Sequence, residues 1–304
     1  MSKRLILGSE EHKTLLCRTF IDTHDPFKPE QIRWPDLDAE GLARLKSMPV
    51  WNEATRTEAA TAVKEQSLGD TEKDHLLAEA ISLQGYEEGR HAEVLQLLTK
   101  HYGIPVAPYP PPEVPKDPTL AFLRTGYGEC LDSFFAFGLF RLGVDAEIFP
   151  KALTDVFDQI MQEEARHILF IVNWAAYLRA RRPVLLRPGF DLWRGWNIVA
   201  QAFDRLKGAL AMAGGGDDEK DAKKDESVRD ASQDGFTLKS HSIFGDFSLR
   251  SFLQTCLSEN NRRLALYDER LLRPMLVPSV VKAMIKVLPR KKRASKAEPD
   301  AKAA

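Results

Sequence analysis

The chain has 304 residues, 43% of them hydrophobic, and its 43 Lys and Arg nearly balance its 44 Asp and Glu, for a formal net charge of -1. That is enough apolar material for one large core or two small ones, and a balance this even gives no electrostatic reason to expect a nucleic-acid partner. Three cysteines far apart, Cys17, Cys130 and Cys256, form no CxxC pair, so zinc-finger and thioredoxin-like chemistry lack support and a reducing cytoplasm is expected. The start, MSKRLILGSEEHK, is too short in apolar residues for the core of a signal peptide. No uncharged apolar run reaches the roughly 18 residues a membrane span needs.

Residues 1–48, punctuated by Pro26, Pro29 and Pro35, read as an irregular segment wrapped around something larger. From Pro49 the pattern turns helical. Gly69 followed by Asp70 and Thr71 reads as a stop and a new cap, and a long second helix is expected from about Glu72 to His101, ending near Gly103. The proline-rich stretch from Pro105 to Pro118 must be extended, as a long crossover would be. A third helix is expected from about Thr119 to Leu142, interrupted by Gly143, and a fourth from Pro150 to about Ala180, so that residues 49–182 form one unit. Residues 183–213 add an apolar helix from about Asp191 to Met212. Residues 214–240, charged and almost free of apolar side chains, read as a disordered linker. Residues 241–289 read as C-terminal helices, one from about Phe247 to Arg273 and a short basic one over PSVVKAMIKVLPRKKR, and residues 290–304 as a disordered tail. No strand-like alternation persists, so the class is all-α.

Two segments share the pattern Glu-Glu-x-Arg-His: Glu87, Glu88, Arg90 and His91, and, 76 residues on, Glu163, Glu164, Arg166 and His167. Both contain Glu-x-x-His, which puts a carboxylate and an imidazole one helical turn apart on one face, where they can ligate the same metal. One such motif is weak, but two deep in long helices are much stronger. The apolar phase adds weight. Leu77, Ile81, Gln84, Glu88, His91, Leu95 and Leu98 form one stripe, and Leu153, Phe157, Ile160, Glu164, His167, Ile171 and Trp174 another. Four polar groups at core-facing positions call for a shared partner, because a lone buried carboxylate costs several kcal/mol. Two further carboxylates are expected. On the first helix Glu58 lies on the stripe Trp51, Ala54, Glu58, Thr61, Glu65, Leu68; Glu53, favoured by a short-hairpin argument, is the alternative. On the third helix Glu129 lies in apolar surroundings 35 residues before Glu164, with Asp132 as a supporting group or extra ligand.

Together these residues resemble the ferritin-like di-iron carboxylate superfamily, whose pattern is one Glu from each of two helices and Glu-x-x-His from each of the other two. The resemblance covers about residues 49–180. It implies a four-helix bundle with one long crossover, two iron ions held by Glu58, Glu88, His91, Glu129, Glu164 and His167, and reaction with dioxygen to oxidise an organic substrate, an apolar one where the aromatic run Phe134 to Phe140 lines a cavity beside the metals. Manganese is the alternative metal, since carboxylate-rich sites with one nitrogen per ion suit hard redox-active ions. Ferroxidase, iron-handling or peroxide-removing activity is the alternative function, and a metal-stabilised scaffold the third. The electron donor is left open, and a homodimer is a candidate assembly. Gln84 and Glu65 are candidates to fix the imidazoles. Glu87 and Glu163 lie off the stripes and read as surface partners of Arg90 and Arg166. His12, His24, His75, His101 and His241 read as solvated, and Phe134, Phe135, Phe137 and Phe140 as core rather than pocket. The basic tail, Arg290 to Arg293 beside Val280, Val281, Met284, Ile285 and Leu288, is a candidate for contact with an anionic membrane, with a solvated tail weighted equally.

Overall fold

The computed structural model describes residues 5–48, 50–213 and 248–288; for 202–213 it describes the backbone alone. Those residues are all-helical, with no strand among them. The helices are α1 (Glu10–Asp22), α2 (Ala39–Ser47), α3 (Trp51–Thr71), α4 (His75–Tyr102), α5 (Pro118–Asp145), α6 (Lys151–Arg181), α7 (Arg187–Ala213), α8 (Leu249–Leu264) and α9 (Leu276–Val287). No described helix is long and apolar enough to cross a membrane.

The segment before the first long helix is not irregular. α1 is opened by Ser9, whose hydroxyl accepts from the His12 N–H, and α2 by Asp38, which accepts from Gly41. The prolines only separate these two helices. The cap of α4 also falls later than the sequence suggests. α3 runs through Gly69 to Thr71, and Asp74 accepts from the N–H groups of Leu76 and Leu77. α4 ends at Gly103, whose φ of 62° is the left-handed conformation that glycine adopts freely. Gly143 does not interrupt α5, which continues to Asp145. The helix expected from Phe247 to Arg273 stops at Leu264, where a turn leads to α9. Pro49, the linker of residues 214–240, His241 and the tail of residues 290–304 lie outside the described residues.

α3 packs along α4 as a hairpin, α5 packs on both α3 and α6, and α8 lies against α5. Close approach is built in. A Cβ on Gly85 would lie 2.9 Å from the backbone nitrogen of Gln66, and one on Gly138 would lie 2.3 Å from Cys256 Sγ. Two apolar clusters divide the four long helices along their length. One gathers Leu77 and Ile81 of α4 with Phe122 of α5 and Ile171 and Trp174 of α6. The other gathers Leu95 and Leu98 of α4 with Leu45, Trp51 and Leu153. Each such side chain contributes roughly 1.5–3 kcal/mol when fully buried. Between the clusters, on α4 and on α6, lie the two Glu-Glu-x-Arg-His segments.

α1 and the turn at Pro29–Gln31 close over the side of α4, and α1 also packs on α6. The first 48 residues therefore bury a face of α4 and α6 that would be solvated in an isolated four-helix unit.

Candidate metal centre

The core-facing stripes bring all six expected ligands into one cluster. Glu58, Glu88, His91 and Glu164 each offer an atom within 4.8 Å of the others, and Glu88 is also grouped in this way with Glu65 and Glu129. His167 Nδ1 lies 2.7 Å from Glu88 Oε1 and 3.9 Å from Glu164 Oε1. The two imidazoles stack with centroids 5.6 Å apart. Glu88 is thus shared between the two halves of the cluster. Glu58, not Glu53, faces the imidazoles: its Oε2 lies 3.7 Å from His91 Nδ1, whereas Glu53 pairs with Arg56 one turn along its own helix.

Both imidazoles turn the same way. Nδ1 of each looks into the cluster, and Nε2 of each is engaged outside it. His91 Nε2 lies 2.7 Å from Glu163 Oε2, and His167 Nε2 lies 2.8 Å from Glu87 Oε2. Each carboxylate also holds an arginine: Glu163 accepts from Arg90 at 2.6 Å, and Glu87 accepts from Arg166. The duplicated motif is reciprocal. The first glutamate of each copy orients the histidine of the other helix, while the arginine next to that histidine anchors the same glutamate. His24 also reaches Glu87.

This corrects the reading of Glu87 and Glu163 as surface partners; they are 0% and 4% exposed. The cause is the N-terminal segment. The Phe20 carbonyl accepts from Arg166 and the Asp25 carbonyl from Arg90, and the rings of Phe20 and Phe27 lie under those guanidiniums at 4.7 and 4.0 Å. The same cover corrects two histidines. His12 is buried and bonds Asn173, and His24 meets Glu87; His75 and His101 are exposed, as expected.

The electrostatics of the cluster ask for cations. Burial, then repulsion from neighbouring carboxylates, raises Glu65, Glu88 and Glu129 well above the usual carboxylate range. Burial also opposes ionisation of Glu58, but hydrogen bonds from His91 and Glu88 outweigh it and hold that group below its ordinary value. Burial disfavours a charged His91, yet Glu163, Glu164 and Glu58 draw a proton onto it. The arginines neutralise Glu87 and Glu163 alone, leaving five core carboxylates around two imidazoles. Both oxygens of Glu129 and Oε2 of Glu65 are buried without a hydrogen-bond partner, and Nδ1 of both histidines and Oε1 of Glu88 face only other atoms of the cluster, His167 Nδ1 and Glu88 Oε1 at 2.7 Å, without a well-directed hydrogen bond. Buried polar atoms are rarely left so. Carboxylate oxygens and imidazole nitrogens converging in this way could hold a divalent metal ion, which would take the place of the protons.

Glu65 goes beyond the six-residue set. It is fully buried and accepts from Gln84 Nε2 at 2.8 Å, so the two residues expected to support the histidines support each other instead. Its position seven residues after Glu58 on one stripe was the available signal. Asp132 is a neighbouring charge that raises Glu129. Ser133 Oγ lies 3.3 Å from Glu164 Oε2.

A cavity of about 170 Å³ adjoins the cluster, with Glu58, His91 and Thr154 in its wall and mostly apolar surroundings, including Trp51, Ala54, Leu139, Phe140, Phe157 and Met161. Of the aromatic run, Phe134 and Phe137 are core, as expected, whereas Phe140 lines this cavity. No family model, no curated protein and no solved structure matches the chain. The described residues form an all-helical fold with a buried cluster of glutamates and histidines that could hold metal.

Proposed function

We propose that the chain is a ferritin-like di-iron oxidoreductase that uses dioxygen to oxidise an apolar organic substrate. The observation that carries this reading is the convergence of partnerless donor atoms from four helices beside an apolar cavity. Glu58, Glu88, His91, Glu129, Glu164 and His167 would hold the ions, with Glu88 shared and Glu65 in reserve. Two iron ions bound there supply one- and two-electron redox chemistry and open positions for dioxygen. Glu87 and Glu163 fix the imidazole tautomer, so that Nδ1 is the ligating atom of each. The apolar wall excludes water and admits hydrocarbon to the side of the cluster lined by Glu58 and His91.

An iron-handling or peroxide-removing protein would use the same ligands, but it gains nothing from an apolar cavity at them. Metal analysis after anaerobic Fe(II) loading, followed by oxygen-electrode measurement, tests the proposal. Near two irons per chain and iron-dependent oxygen uptake are expected, both lost in Glu164→Ala and His167→Ala. A protein that retains no iron, or retains it equally in both variants, overturns the proposal. A many-subunit shell on size-exclusion chromatography would favour storage instead.

A further inference from the structure

The apolar cavity adjoins a second space at the protein surface. Four of its wall residues, Phe140, Val144, Phe149 and Thr154, also line a groove of about 920 Å³ at the α5–α6 turn, between α2 and α8. The two spaces have different chemistry. The only side chains with polar groups in the inner wall, apart from the Trp51 indole, are Glu58, His91 and Thr154. The groove is lined by seven carboxylates and four cationic side chains.

The inner wall also has a direction. On α3 it runs from Trp51 to Glu58 and on α6 from Leu153 to Met161, seven and eight residues. At 1.5 Å per residue these span about 10 to 12 Å parallel to the helix axes. Glu58 marks the cluster end, and Gly143 and Thr154 lie towards the turn. An extended chain of about eight carbons covers that distance. A slot of this shape takes a linear chain end-on, with one terminus at Glu58 and His91 and the other leaving through the groove.

The groove sets the sign of what stays outside. Arg44 pairs with Glu40, Lys151 with Asp155 and Arg262 with Glu259, so these charges largely cancel. Asp36 and Glu147 form no ion pair among the described residues. An anionic headgroup would face net repulsion and a cationic one net attraction, weakened by salt because the groove is open.

We propose that this slot and groove bind a linear medium-chain amphiphile with a cationic amine head, its alkyl terminus directed at the metal cluster. This deepens the oxidoreductase reading by naming a substrate class and the end of it that is presented.

Titration calorimetry of the full-length protein, as purified and after iron loading, with n-octylamine, 1-octanol and octanoate tests it. Octylamine is expected to bind about tenfold or more tighter than octanoate at low salt, and butylamine to bind more weakly than octylamine. Ala54→Trp, which fills the slot, should abolish binding; Phe157→Ala, which enlarges it, should move the best chain towards ten carbons and serves if the larger residue is not tolerated. The double variant Asp36→Lys, Glu147→Lys should reverse the head preference. Octanoate binding as well as octylamine, affinity independent of chain length, or binding unchanged in a folded Ala54→Trp protein would overturn the inference. A protein that holds iron but takes no octylamine fails here alone; one that takes octylamine but no iron fails the oxidoreductase reading alone.

Discussion

Glu87 and Glu163 each hold a cluster imidazole and a guanidinium in a place closed to water, and Glu87 also meets His24. Their charge does two jobs. It fixes Nε2 as the proton-bearing nitrogen of each histidine, and it balances an arginine that would otherwise be buried alone. Neutralising one of them leaves the shape but not the charge. Glu163→Gln should therefore lower metal affinity about 10- to 100-fold, measured by competition with a chromophoric chelator. Glu53→Gln, whose carboxylate pairs with Arg56 one turn along its own helix, should leave affinity unchanged. Equal affinities in wild type and Glu163→Gln would show that the glutamate serves the arginine and not the histidine.

The spacing of α3 and α4 depends on small residues opposite each other. A Cβ on Gly85 would press on the α3 backbone at Gln66, and it would also lie 3.3 Å from the Cβ of Glu65. A backbone cannot swing aside as a long side chain can. The gain of about 1 kcal/mol that alanine brings to a helix is therefore outweighed, and Gly85→Ala should destabilise by about 1–3 kcal/mol in chemical denaturation. It should also weaken metal binding, since it displaces Glu65 and lies one turn before Glu88. Gly195, on α7, has nothing within 4 Å of an added Cβ, so Gly195→Ala should stabilise by up to about 1 kcal/mol. If both variants behave alike, close helix approach is not what fixes the cluster.

Across the whole molecule, the cluster sets buried like charges against two apolar clusters and an N-terminal cover. Divalent ions that bind only the folded chain stabilise it by mass action, about 2.7 kcal/mol at a hundred times the dissociation constant. For a chain of this size that corresponds to a rise in melting temperature of about 4 °C. Scanning fluorimetry with and without Mn(II) or anaerobic Fe(II) should show such a rise, and a chelator should reverse it. In His167→Ala the melting temperature should no longer respond to metal. A melting temperature indifferent to metal in the wild type would mean that the carboxylates are satisfied by protons alone.

The all-α class, the inward phase of the two Glu-x-x-His pairs and the inward position of Glu58 were legible in the chain, because 3.6-residue periodicity is a local property: Leu77, Ile81, Glu88, His91, Leu95 and Leu98 read as one buried stripe and are one. What periodicity of one helix does not report is how many faces other segments cover. Glu87, Glu163, His12 and His24 looked solvated for that reason, and only α1 and the turn after it, folded back over α4 and α6, made them interior. The reciprocal exchange of glutamates between the two motif copies, the burial of Glu65 against Gln84, and the slot beside Phe140 likewise required residues tens to more than a hundred positions apart to meet. The residues and their phase are properties of the string; which charges face one another, and what space is left beside them, is decided only when the helices pack.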